Sequence, residues 1–218
     1  MINLFWITSS SFLAALSGAT VPGPVFAVVF SESIKNGKAA GPLIILGHFS
    51  IEGVMMLMAF TGLQHVLQFE GVKMAVGYIG GIILVLMGLK SIFDAFRMRI
   101  DNTLSKKDLV EHKKTPMYKL ISLGFLTSCS NPYFFLWWLT TGFPIMINSI
   151  SIAGALGFIL FLVGHSSADL LWFSFVSYSA HESRRVLNEK ALKIILLVSS
   201  AFLVTFAAHI ILSTAMSR

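Results

Sequence analysis

The chain has 218 residues, 56% of them hydrophobic and 12% charged, with sixteen Lys and Arg against ten Asp and Glu for a formal charge of +6. Soluble domains carry about 25% charged residues, and a mean hydropathy of +0.81 excludes that class. The single cysteine, Cys129, excludes an intrachain disulfide and a paired-cysteine redox centre.

A helix needs about 20 mostly apolar residues to cross the hydrocarbon core. Residues 1–31 carry no charge and are interrupted at Val21-Pro22-Gly23-Pro24. No Lys or Arg precedes this run, so it lacks the basic start of a cleaved signal peptide and reads as mature protein. A second run spans Ala39 to about Val66, broken by His48, Glu52 and His65, and a third spans Met74 to Leu89. Arg97 to Lys119 is polar. Leu120 to Val163 is again uncharged and too long for one helix. Gly142-Phe143-Pro144 and Asn148-Ser149 are its turn signals, so the division into helices four and five is expected there. Helix five continues through His165 and Asp169 to about Tyr178, and a sixth run covers Ile194 to about Met216.

The expected fold is an all-α membrane protein of six transmembrane helices. The loops after helices one, three and five, with their helix ends, carry 14 of the Lys and Arg residues, from Lys35 to Lys193; the other side has Lys73 and Arg218. By the positive-inside rule both termini are expected outside the cytoplasm, in a cell (plasma or inner) membrane. The basic charge is thereby explained without a nucleic-acid partner. The basic third loop could also touch anionic lipid headgroups.

Helix two reads Gly47-His48-Phe49-Ser50-Ile51-Glu52, and helix five reads Gly164-His165-Ser166-Ser167-Ala168-Asp169. The shared pattern is Gly-His-x-Ser-x-acid, set in apolar sequence both times. Pro22-Gly23-Pro24 in helix one is matched by Asn131-Pro132 in helix four, and Val72-Lys73 before helix three by Leu192-Lys193 before helix six. The chain thus reads as residues 1–96 and 118–218, two three-helix repeats joined by a basic cytoplasmic loop at 97–117. An odd number of spans repeated in tandem enters the membrane from opposite sides. The repeats are therefore expected to be inverted, with a site at their interface near the midplane, as in many secondary transporters.

Proline removes a backbone donor and clashes one turn back. Pro22, Gly23 and Pro24 must distort helix one, and Asn131-Pro132 must distort helix four. Helix starts after such breaks present N–H groups and partial positive charge to an anion, for which an amino-acid carboxylate is suited. Glu52 and Asp169 are the carboxylates deep in apolar spans, where a bare charge is costly and marks function. His48 and His165 each lie one turn before them, on the same helix face. Such a pair can pass a proton or ligate a cation. The structural readings are a simple kink and a polar clamp; recurrence in both halves favours function. Ser50 and Ser167, two residues before each acid, stay among the candidates, although serines there commonly bond their own helix.

These residues, in this order, resemble the LysE/RhtB family of amino-acid exporters. The likeness is carried by Val21-Pro22-Gly23-Pro24, then Asn36-Gly37 and Gly41, and Gly47 with the acid Glu52. Tyr78-Ile79-Gly80-Gly81 through Gly88 and Gly124-Phe125-Leu126-Thr127 with Asn131-Pro132 extend it over nearly the whole chain. Val25 stands where many relatives have Asp or Asn, Glu52 where they have Asp, and His48 and His165 depart from the usual exporter pattern. The resemblance implies export of amino acids or derivatives, driven by a proton or cation gradient. A divalent-cation transporter using His48, Glu52, His165 and Asp169 as ligands is the competing expectation. Neither a cofactor nor an enzyme motif is indicated. A homodimer is left open.

Overall fold

The computed structural model describes residues 2–21, 23–97, 115–186 and 189–216. Its helices are α1 (Ile2–Ala19), α2 (Pro24–Asn36), α3 (Ala40–Phe60), α4 (Glu70–Arg97), α5 (Met117–Cys129), α6 (Pro132–Trp137), α7 (Phe143–Val186) and α8 (Glu189–Met216). A 3-10 turn, Leu63–Gln68, joins α3 to α4, and a π segment, Trp138–Gly142, joins α6 to α7. Among the described residues there is no strand. Most of the basic loop expected at 97–117 lies outside the described residues.

Among the described residues, four stretches are long and apolar enough to cross a membrane: Ala40–Phe60, Glu70–Lys90, Pro132–Ser183 and Leu197–Met216. Counting the bent pair Leu4–Ala19 and Pro24–Asn36 as one broken span makes five. That pair bends by 76°. Gly23 is extended (φ −144°, ψ −176°) and Pro24 opens α2, so the α1 ladder cannot run through. Pro22 lies outside the described residues.

The 52-residue stretch is not one rod. Ala153 (φ −139°, ψ 19°) and Gly154 (φ 55°, ψ −135°) leave helical geometry. A Cβ placed on Gly157 would collide with the Ser149 carbonyl. Eight residues along a straight helix are about 12 Å apart, so the chain folds back here. This corrects the expected division at Gly142–Ser149. Gly154 takes the left-handed region that other residues avoid. Pro144 lies in the first turn of α7, just beyond the π segment, where altered backbone pairing absorbs its missing N–H.

The bundle is held by three close helix pairs, α1 on α7, α3 on α5 and α4 on α8, with α3 also against α7. Small residues set the spacing, as is common where lipid removes the hydrophobic drive between helices. A Cβ at Gly47 would strike the Ile121 carbonyl, one at Gly124 the Ile44 carbonyl, and one at Gly164 the Thr8 carbonyl. Large apolar side chains such as Phe5, Leu57, Phe96 and Val198 point outward, which suits lipid rather than water.

Candidate functional site: a buried His–carboxylate ring between two helix breaks

The two repeated motifs meet. His48 and Glu52 come from α3, and His165 and Asp169 from α7; they are 9, 3, 2 and 5% exposed respectively. The i, i+4 spacing stacks each pair on one face, and the contact of α3 with α7 turns those faces toward each other. His165 Nε2 lies 2.6 Å from Glu52 Oε1 and 3.5 Å from Asp169 Oδ2. His48 Nε2 lies 3.2 Å from the same Glu52 oxygen and 4.0 Å from Asp169 Oδ2. Each imidazole therefore faces the acid of its own helix and the acid of the other.

The ring is uneven. Glu52, one methylene longer than Asp169, makes the two shorter contacts and forms its hub. His48 Nδ1 is 2.7 Å from Ser128 Oγ. Trp137, Trp138 and Phe161 surround the His165 ring, with centroids 5.4, 5.4 and 5.5 Å away. Phe134 meets His48 edge-on at 5.3 Å. This apolar jacket strengthens every electrostatic contact inside it.

Both helix breaks open beside the ring. Gly23 precedes Pro24 at the start of α2, and Asn131 precedes Pro132 at the start of α6. Asn131 Oδ1 accepts the Tyr133 N–H at 3.1 Å and so caps α6. A cavity of about 380 Å³ is lined by Gly23, Pro24, Asn131, His48, Glu52, His165 and Asp169 together, with Tyr133, Trp137, Trp138 and Phe206. Its volume is in the range of small-molecule sites.

Three of the sequence candidates, Ser50, Ser167 and Pro132, stand apart. Ser50 Oγ bonds the Leu46 carbonyl at 3.1 Å, and Ser167 Oγ bonds the Gly164 carbonyl at 2.9 Å. Neither is among the residues lining the cavity, nor are Pro132 and Cys129. Sequence reasoning missed Ser128, whose only signal was its place three residues before the Asn131-Pro132 break. Trp137 and Trp138 line the cavity as well, beside the His165 ring. His209 Nε2 meets Tyr133 Oη, beside the α6 start, at 3.3 Å.

Apolar helices of spanning length, lipid-suited outer faces and a polar cluster buried between them define a multi-pass membrane protein. The chain belongs to the LysE type translocator family, whose signature matches residues 16–214. It is 26% identical over 201 residues, 92% of each chain, to the "Putative amino acid efflux protein YcgF" of Bacillus subtilis (strain 168). No solved structure gives a significant match.

Proposed function

We propose that this translocator exports amino acids or their derivatives by alternating access, coupled to a proton or cation. The observation that carries the reading is the shared cavity: one space touches both helix breaks and all four members of the His–carboxylate ring. An amino acid needs an acceptor for its carboxylate and one for its ammonium group. The start of α2, which no side chain caps, supplies N–H groups and dipole for the first, and α6, whose Tyr133 N–H is held by Asn131, adds the Asn131 amide beside it. Glu52 and Asp169 supply negative charge for the second, or hold the coupling ion in its place. The family and the amino-acid efflux relative support the substrate class.

The topology proposed with this function is six spans in two inverted halves, 1–96 and 118–218, about a basic cytoplasmic loop. Dividing the long stretch at Ala153–Gly154 raises the five-span count to six. Exchanging the halves turns the α1–α7 pair into α3–α5 and leaves α4–α8 and α3–α7 unchanged, and all four pairs are in contact. Gly47 and Gly164, equivalent in the repeats, each abut a backbone carbonyl of the partner helix. With both termini outside, a second cavity of about 270 Å³, lined by Glu32, Lys35, Lys90 and Lys119, lies on the cytoplasmic side. It comes within one turn of the central cavity along α2, α5 and α8, and we read it as the entry route for substrate.

A divalent-cation cargo is the second reading, favoured by one observation. His48, Glu52 and Asp169 offer ligand atoms all within 4.8 Å of one another, a donor set suited to transition metals. Thermal shift of the purified protein separates the two. Stabilisation by amino acids, lost in Glu52→Gln, supports export of amino acids. Stabilisation by Zn²⁺ or Mn²⁺ alone supports the metal reading and overturns the first.

A further inference from the structure

We infer that Ser128 is a positioning residue that fixes which nitrogen of His48 is presented to the acids, and so makes the two histidines of the repeat chemically unequal. The inference rests on the ring being the coupling site proposed above. Ser128 Oγ is 2.8 Å from the Gly124 carbonyl one turn back and 2.7 Å from His48 Nδ1. A hydroxyl has one hydrogen to give. The carbonyl can only accept, so the serine hydrogen goes there. Toward His48 the oxygen then acts as acceptor, and the hydrogen in that contact must belong to Nδ1. Ser128 is fully buried, and these are the two contacts its hydroxyl makes among the described residues.

With Nδ1 carrying its hydrogen outward to Ser128, His48 Nε2 is left as the nitrogen that faces Glu52 and Asp169. With a proton, Nε2 donates to Glu52 and holds it; without one, its lone pair is free to accept the coupling proton or cation. Partners of this kind, one bond removed from the working atom, commonly fix the tautomer of a histidine.

The repeat gives the second argument. Gly124 packs on the Ile44 carbonyl, and Ser128, one turn later, reaches His48, one turn after Ile44. In the other half Ser11 Oγ bonds the Phe161 carbonyl at 2.8 Å. One turn after Phe161 is His165, and one turn after Ser11 is Ala15. Ala15 lines the cavity in the place where Ser128 stands, but has no hydroxyl. His165 Nδ1 accordingly has no hydrogen-bond partner among the described residues. The repeat keeps both imidazoles and fixes the tautomer of only one through such a serine.

The test reads the tautomer directly. In protein labelled with ¹⁵N histidine, with His48→Gln used to assign the signal, His48 Nδ1 is expected to be protonated in the wild type. In Ser128→Ala that protonation is expected to fall. A bare Nδ1 in the wild type, or equal protonation in both proteins, overturns the inference whatever the substrate proves to be. In proteoliposomes Ser128→Ala is expected to lower turnover about 10-fold with little change in substrate KM, and Ser128→Thr, which keeps the hydroxyl, to restore it. Failure of threonine to restore turnover in a folded variant also overturns the inference. Absence of amino-acid transport in the wild type would instead overturn the proposed function.

Discussion

His165 Nε2 and Glu52 Oε1, 113 residues apart in sequence, lie 2.6 Å from each other, the shortest contact linking the two repeated motifs. The bond crosses from α7 to α3. Any movement of one half against the other must break or redirect it, and the neighbouring 3.2 Å contact from His48 to the same oxygen keeps Glu52 held when it does. Glu52 is thus the acid that both histidines of the repeated motifs contact most closely.

Unequal roles for the two acids follow from the unequal distances. Glu52→Gln removes the charge at the hub and is expected to lower transport by 10-fold or more, the range seen when a charged hydrogen bond of about 1.5–3 kcal/mol is lost. Asp169→Asn, whose oxygen stands 3.5 and 4.0 Å from the histidines, is expected to have the smaller effect. Initial rates in proteoliposomes at matched protein density check the ranking.

His165 also holds the bundle together. His165→Ala leaves Glu52 with one partner in a water-poor site and is expected to destabilise the fold by about 3 kcal/mol. Adding Glu52→Gln should recover part of that loss, because the uncompensated charge is gone. Thermal unfolding in detergent of the wild type, both single variants and the double variant measures the coupling.

Helix spacing gives a prediction independent of function. Gly47→Ala, Gly124→Ala and Gly164→Ala each place a methyl group into a backbone carbonyl of the partner helix, which cannot swing aside. All three are expected to be poorly folded. Gly53→Ala and Gly71→Ala meet open space and are expected to be neutral or more stable by a few tenths to about 1 kcal/mol. Fluorescence-detected size-exclusion profiles distinguish the two sets.

Much of this arrangement was legible because burial of charge in lipid is so costly. Glu52 and Asp169 had to meet partners, and His48 and His165 at i−4 were the partners at hand. Pro24 and Pro132 announced the helix breaks, since a missing donor is a property of the residue. The fold-back at Ala153–Gly154 was not legible. Gly154 sits in a run of small and apolar residues that reads equally well as helix, while Pro144 looked like the stop but is absorbed by the π segment before it. Ser50 and Ser167 misled because a repeated residue need not face the repeated site: two positions along a helix turn about 200° away from the acid. Ser128 was hidden for the opposite reason. Its contact with His48 depends on the close approach that Gly47 and Gly124 permit between α3 and α5, which no single segment reveals.

Asn131 links the break to the cavity. Asn131→Ala removes the cap on the Tyr133 N–H and is expected to cost about 1 kcal/mol of stability. Asn131 also lines the cavity; if its side-chain amide donates to the substrate carboxylate, the same variant should raise substrate KM more than it lowers turnover. Concentration-dependent uptake compared with Asn131→Asp and wild type separates the two effects.

The central claim is that the ring couples substrate movement to an ion. It is tested most directly in proteoliposomes holding a pH-sensitive dye, with a panel of amino acids and divalent metals applied to wild type, Glu52→Gln and Asp169→Asn. Proton movement that depends on an amino acid and is lost in Glu52→Gln is the expected result. Undiminished amino-acid-driven proton movement in Glu52→Gln, or movement with a divalent metal alone, would contradict it.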